Sequence, residues 1–431
     1  MVKKRRRWIW WVIGFSFVAL IGWFAAGPIL ALRKIQEPSA DNSSSLFGFL
    51  GKIVSNAQLK GEAEGRINIL LLGVGGKNHP GGTLADTIQV VSVNAKTKQV
   101  GMLSLPRDLR VTIPGVGTNK INYAHAYGEM NPKSGGGPAV MKQVVGQILD
   151  QPIHYYVRMD FAGFEKLVDA LGGVDITAEK AINDPFYPAA DMVHYDPFSI
   201  SAGEHHLDGK TALKYVRSRE TTSDFDRSKR QQQMLQAIKE KALSLNILAN
   251  PKKVNEIAGI LGDHVRTDLQ TWEIAQALEV AARDSSSYTV SSRVIAAGAG
   301  EPLVPVNEGG YYLVPRTGNF KEIQRIAANI FTEPLIKDEA AKIEVVNASG
   351  KLSLLSEVVT SLKNQGYTVV NSRTAPSTIS QTTLYDYSNG AKPNTAKLLG
   401  QYLDVTPTSQ ERPSGSSVDL SVVIGTDYKE E

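Results

Sequence analysis

Three clusters of charged residues stand at the ends of apolar runs, where a fold can gather them. The first is Asp86, which leads into the strand-like run from Thr87 to Val93 and follows Gly75-Gly76-Lys77-Asn78-His79-Pro80-Gly81-Gly82. A carboxylate at a strand edge beside a glycine-rich loop can hold a divalent cation while the backbone approaches a phosphate. It can equally cap a turn. The second cluster is Pro106-Arg107-Asp108-Leu109-Arg110, followed by Lys120-Ile121-Asn122. Arg107 and Arg110 carry rigid donor forks suited to phosphate oxygens. A surface ion pair, such as Arg107 with Asp108, is the alternative. The third is Tyr215-Val216-Arg217-Ser218-Arg219, then Asp224-Phe225-Asp226-Arg227-Ser228-Lys229-Arg230-Gln231. On an extended segment Arg217 and Arg219 turn to one side. On a helix Arg227 and Gln231 share a face near the N-terminus, where the dipole favours anions, and Arg230 is a further candidate contact. Converging arginines repel one another unless an anion neutralises them, so the chemistry indicated is the binding of a phosphorylated group.

The elements that must position these clusters are legible in the apolar pattern. Strand-like runs cover residues 67–72, 87–93 and 99–105, the last two joined by the polar turn from Asn94 to Lys98. Helical spacing covers 138–149, and Asp160 can N-cap a helix from Phe161 to Leu171 that Gly172-Gly173 ends. A loop rich in Pro, Tyr, Phe and Asp spans 183–203; short and long helices are expected over 207–215 and 226–245. Strands mixed with helices predict an α/β layered domain, a mixed sheet with helices on its faces, over residues 66–332. A linker containing Pro334 is expected over 333–341, and a smaller α/β domain over 342–426.

Ahead of these lie Lys3 to Arg7 and then 25 residues, 8–32, without a charged side chain. At ~1.5 Å per residue that helix is about 37 Å long, enough to cross a hydrocarbon core of roughly 30 Å. The basic run (residues 1–7) predicts a cytoplasmic N-terminus, residues 33–65 a juxtamembrane stalk, and everything beyond the span an exported position in the cell membrane. The five basic residues before the span account for the charge excess: of 47 basic and 43 acidic residues, 42 and 43 remain elsewhere. A near-neutral exported part opposes a nucleic-acid partner. With no cysteine in the chain, disulfides, thiolate metal sites and cysteine nucleophiles are excluded.

Taken in order, Asn68-Ile69-Leu70-Leu71-Leu72-Gly73, Ala85-Asp86-Thr87-Ile88, Leu105-Pro106-Arg107-Asp108, Lys120-Ile121-Asn122, Leu171-Gly172-Gly173-Val174, Leu207-Asp208-Gly209 and Arg217 through Gln233 resemble the LytR-CpsA-Psr family of cell-wall proteins. The C-terminal domain, opening Ile343-Glu344-Val345-Val346-Asn347, is similar to the accessory domain that often follows in that family. The resemblance implies transfer of a glycopolymer from a polyprenyl-pyrophosphate carrier to peptidoglycan, forming a phosphodiester with Mg2+ assistance. It places Arg107, Arg217, Arg219 and Arg227 where the family has pyrophosphate-binding arginines, and Gln231 at a head-group contact. Asp86 matches a magnesium-associated aspartate, and Asp224 the acidic residue beside the arginines. The expected catalytic set is therefore Arg107, Arg217, Arg219 and Asp224, with Arg110, Lys120, Arg227, Arg230 and Gln231 binding substrate and Asp86 binding metal. The chain departs from the family in reading Val74-Gly75-Gly76 where an aspartate is usual, and Leu84 where an arginine is. A polyprenyl-pyrophosphate hydrolase and a non-enzymatic lipid-linked-glycan scaffold are the alternatives.

Overall fold

The computed structural model describes residues 58–77, 79–189, 193–218, 224–245, 250–274, 276–277, 288–298 and 301–428. The basic segment, the apolar span and most of the stalk lie outside the described residues, among which no helix is long and apolar enough to cross a membrane. The chain divides into two compact units, Met1–Thr289 with Val294–Gly318, and Val290–Arg293 with Asn319–Glu431.

In the first unit β1 (Ile67–Val74), β2 (Ala85–Asn94) and β3 (Gln99–Ser104) form an antiparallel meander. The Asn94 carboxamide accepts from the Lys96 and Thr97 amides and so closes the turn between β2 and β3. The hairpin β4 (Arg110–Ile113) and β5 (Gly117–Lys120) leads into α1 (Ile121–Met130) and α2 (Gly137–Leu149). The chain returns as β6 (Tyr155–Asp160), parallel to β1. Helix α3 (Phe161–Ala170) starts at once because the Asp160 carboxylate accepts from Gly163 N at 2.8 Å. Short strands β7 (Val174–Ala178), β8 (Ile182–Asp184), β9 (Phe198–Ile200) and β10 (Gly203–Leu207) follow, then α4 (Gly209–Arg217), α5 (Asp224–Ser244), α6 (Pro251–Leu261) and β11 (Val265–Thr267). The main sheet of this unit runs β11-β6-β1-β2-β3, a mixed α/β arrangement. Strand β12 (Thr289–Val294) straddles the division between the units, and the hairpin β13 (Leu303–Asn307) with β14 (Tyr311–Pro315) closes the first.

Strand alternation gives the sheet two different faces. Leu70, Leu72, Ile88 and Val90 are buried on one face; α1 packs against β2 and α2 against β6, and α2 buries Met141, Val144, Val145 and Ile148. Leu71, Gly73, Thr87, Gln89, Val157 and Met159 lie on the other. Across from that face, α3, α4, α5 and the small strands build a separate core from Val168, Val174, Tyr187, Leu207, Tyr215 and Met234. Leu59 packs with Ile67, Tyr155 and Leu269, and Lys60 N donates to Tyr155 Oη at 2.8 Å. The end of the segment expected to be stalk thus belongs to the folded unit.

The second unit contains α7 (Lys321–Ala328), α8 (Glu333–Glu339), β15 (Lys342–Asn347), α9 (Ser353–Asn364), β16 (Thr368–Thr374), β17 (Thr383–Asp386), α10 (Pro393–Leu403), β18 (Thr408–Ser409) and β19 (Leu420–Ile424). Its sheet runs β16-β15-β19-β17-β18 over a core of Ile343, Val345, Leu362, Leu399 and Val422. The linker expected over 333–341 is a helix instead. Pro334 sits in its first turn, where a missing N–H has no consequence, and Ile336 is buried in the core. Glu339 then caps α10: its carboxylate accepts from the Asn394 and Thr395 amides at 2.8 and 2.7 Å.

Burial raises the Glu339 pKa, but the bonds from Thr395 and Asn394 outweigh it and hold the carboxyl below the usual glutamate value. A depressed folded-state pKa contributes stability that is present above the unfolded value and lost as pH falls through the folded one. Glu339→Gln is expected to destabilise the second unit by on the order of 1 kcal/mol in urea unfolding at neutral pH. The difference between variant and parent should shrink when the same measurement is made below the ordinary glutamate pKa. A constant difference across pH would show that the charge of the cap contributes nothing.

Candidate active site

Between the second face of the main sheet and helices α3, α4 and α5 lies a cavity of about 420 Å³. Its floor is Leu71, Gly73, Gln89, Val157 and Met159; its roof is Phe161, Phe164, Leu213, Val216, Met234 and Leu235. Its polar lining includes Asp86, Arg107, Asp160, Asp184, Tyr187, Arg217, Arg227 and Gln231. This polar part lies toward the carboxyl ends of β1 and β6, the usual place for ligands in α/β sheets.

Arg217 is held by several groups at once. Asp208 caps α4 by accepting from Thr211 N at 2.8 Å, so the helix runs on to Arg217 as its last residue and Ser218 leaves it in an extended conformation. The expectation that Arg217 stands on an extended segment is therefore corrected; a helix C-terminus, favourable to cations, carries it. Its guanidinium stacks 4.1 Å from the Phe161 ring centroid. It donates to Tyr187 Oη at 3.1 Å and to His79 Nε2 at 3.2 Å. Burial pushes the Tyr187 hydroxyl above its ordinary pKa although Arg217 pulls it the other way, so it remains a neutral phenol.

The glycine-rich loop supplies the His79 contact. Gly82 N donates to His79 O and Gly76 N to Gly82 O, a knot so tight that a Cβ on Gly82 would lie 1.9 Å from Gly76 O. A Cβ on Gly75 would meet the His79 ring at 2.6 Å. The ring sits edge-on to Phe161 at 5.2 Å.

Asp86 and Arg107 are brought together, Oδ1 to Nη1 at 2.6 Å, with both side chains partly exposed at the cavity. Arg227 is buried in the cavity wall, and Gln231 lies one turn further along α5 on the same face. Arg219 lies outside the described residues, and Asp224 opens α5. Three other candidates lie away from the cavity lining. Arg110 pairs with Glu308 at 2.5 Å and Lys120 with Asp108 at 2.6 Å, both over the Tyr312 ring. Arg230 is buried and donates to the Tyr215 carbonyl at 2.8 Å and to the Ser218 carbonyl. It secures the end of α4 and with it the position of Arg217.

Sequence reasoning missed Tyr187, Asp184 and Gln89. Asp184 is 3 % exposed and accepts from Ser218 Oγ at 2.7 Å; it and Tyr187 come from the loop whose aromatic and acidic content was the available signal. Gln89 is fully buried in the floor, and neither amide atom has a hydrogen-bond partner. No local pattern marks it, because it falls on the inward phase of an ordinary strand.

The model of the LytR_cpsA_psr family matches residues 33–329. The chain belongs to that family. A second model, LytR cell envelope-related transcriptional attenuator, matches residues 340–428. Among curated relatives, the chain is 31 % identical over 332 residues to the Oceanobacillus iheyensis polyisoprenyl-teichoic acid–peptidoglycan teichoic acid transferase TagU, covering 76 % of this chain and 95 % of that protein. It is 30 % identical to the Bacillus subtilis transferase TagT of the same description, covering 62 % and 79 %. It is 35 % identical to Staphylococcus aureus regulatory protein MsrR over 48 % of this chain and 57 % of that one. Among solved structures, protein gbs0355 from Streptococcus agalactiae shares the fold, with a TM-score of 0.51 at 24 % identity over 63 % of this chain and 89 % of that one.

The two arginine roles separate experimentally. Arg230→Met orphans two buried carbonyls and should lower stability by roughly 2–4 kcal/mol in chemical denaturation. Arg217→Ala, at the cavity, should lower it by no more than about 1 kcal/mol. Equal losses would contradict the assignment of Arg230 to the scaffold and Arg217 to the site.

Proposed function

We infer that the chain is an extracytoplasmic transferase that moves a glycopolymer from a polyprenyl-diphosphate carrier to peptidoglycan. The observation that carries this reading is the continuity of an apolar cavity with an arginine-lined end. An amphiphile with a long hydrocarbon tail and a diphosphate matches both parts: each buried methylene contributes about 0.8 kcal/mol, and guanidinium forks bind phosphate oxygens. The names of TagU and TagT, transferases of polyisoprenyl-linked teichoic acid to peptidoglycan, support it.

In the reaction a hydroxyl oxygen of peptidoglycan attacks the glycan-side phosphorus, the bridging P–O bond breaks, and the carrier leaves as its monophosphate. The hydroxyl proton passes to a carboxylate at the cavity, whose lining holds Asp86, Asp160 and Asp184. Arg107, Arg217, Arg219 and Arg227 hold the diphosphate and offset the charge that gathers on the leaving phosphate, so positioning and electrostatics supply the catalysis. We place Asp224 beside them and the chain in the membrane, anchored by residues 8–32 with the basic segment in the cytoplasm.

Mg2+ is part of the proposal. Among the described residues no group of three or more His, Asp or Glu is arranged to hold a metal. One carboxylate oxygen of Asp86 is engaged by Arg107, leaving the other. That donor set fits a magnesium ion held by one carboxylate, water and substrate phosphates, the usual arrangement for this cation. Such an ion would supply charge neutralisation at the phosphates.

Two measurements check these statements. Arg217→Ala with Arg219→Ala is expected to slow transfer from a prenyl-diphosphate-linked glycan to peptidoglycan by at least about tenfold, and lysine at either position to restore only part of it. A folded double variant that transfers at the parental rate would remove these arginines from the mechanism. Asp86→Asn should raise the magnesium concentration needed for half-maximal rate; an unchanged magnesium profile at an unchanged rate would reduce Asp86 to a turn residue.

A further inference from the structure

Gln89 presents a polar group that the fold itself leaves unsatisfied. It is 0 % exposed, in the floor of the cavity, and neither its amide nitrogen nor its amide oxygen has a hydrogen-bond partner. Its strand neighbours on that face are apolar on one side and polar on the other: Leu71 lies opposite on β1, and Ser104 opposite on β3. Ser104 Oγ accepts from Gln232 Nε2 at 2.9 Å, which fixes the turn of α5 at residues 231–232 above this point of the sheet.

That alignment locates Gln89 along the cavity. Arg227, Gln231, Met234 and Leu235 follow one another on the cavity face of α5. The level of Gln89 is therefore about 6 Å inward from Arg227 along the helix axis, where its neighbours across the sheet, Leu71 and Val157, are apolar. A buried amide at this level has one fitting partner in an amphiphile that enters tail first, namely the polar group attached directly to the tail.

We propose that the Gln89 amide donates to the phosphate esterified to the prenyl chain, and so sets the depth at which the carrier stops. The proposal rests on the reading of the cavity as a polyprenyl-diphosphate site. The amide is sealed from solvent, so rotation about the glutamine side-chain torsions turns its nitrogen toward the arriving phosphate. The distal, glycan-bearing phosphate then falls to the arginines, one helical turn outward. Gln89 acts as a positioning and binding residue that selects a phosphorylated tail over a free prenyl alcohol.

The test is titration calorimetry of the full extracytoplasmic chain with farnesyl diphosphate, farnesyl monophosphate, farnesol and inorganic pyrophosphate, for the parent, Gln89→Met and Gln89→Glu. Methionine keeps the length without the donor; glutamate sets a negative charge against the phosphate. Gln89→Met should weaken farnesyl diphosphate and farnesyl monophosphate by a similar factor, about tenfold, and Gln89→Glu should weaken both further. Farnesol should bind Gln89→Met at least as well as the parent, and the melting temperature of Gln89→Met without ligand should equal or exceed the parental value. Parental affinity of Gln89→Met for both phosphates would overturn the inference while leaving the carrier reading intact. A loss confined to the diphosphate would overturn it too, by moving the contact to the distal phosphate. A parent that binds farnesol as tightly as farnesyl diphosphate would overturn both.

Discussion

Like charges must be held together at one end of an apolar cavity, and much of the first unit is organised around that constraint. Arg217 is fixed by groups that stabilise a guanidinium without neutralising it: the face of Phe161, the phenol of Tyr187 and the imidazole of His79. A carboxylate in direct contact would fix it more strongly and also compete with an incoming anion. Arg107 is arranged differently, paired to Asp86 at 2.6 Å. The lining thus combines an arginine held by aromatic rings and an imidazole with one held by a carboxylate.

Each supporting element follows from this. The glycine loop after β1 folds into a knot that delivers the His79 ring. The immediate passage from β6 into α3, set by the Asp160 cap, brings Phe161 under the guanidinium. The buried Arg230 ties α5 to the carbonyls at the end of α4 and so secures the segment that carries Arg217. The two cores on either side of the cavity give it walls that do not depend on a ligand.

Much of this was legible in the chain. The meander of β1 to β3, the cap at Asp160 and the cavity-facing pair Arg227 and Gln231 follow from alternation, capping chemistry and helical spacing. What sequence did not reveal depends on three-dimensional phase. Arg230 is one residue from Gln231, a turn of about 100° that sends it to the carbonyls of α4. Pro334 reads as a break, yet it starts a helix, because proline suits both roles and only the burial of Ile336 decides between them. Arg217 reads as extended from its i, i+2 partner, whereas it is the last residue of the helix that Asp208 starts. Tyr187 and Gln89 reach the cavity from separated stretches of chain, and no local spacing connects them.

A crystal structure of residues 58–431 with farnesyl diphosphate and Mg2+ tests the central claim most directly. The account predicts the hydrocarbon in the cavity between the main sheet and α3 to α5, against Val157, Phe164 and Met234, with the diphosphate held by Arg107, Arg217 and Arg227. A prenyl chain bound elsewhere, or bound in the cavity with its phosphates turned away from these arginines, would contradict it.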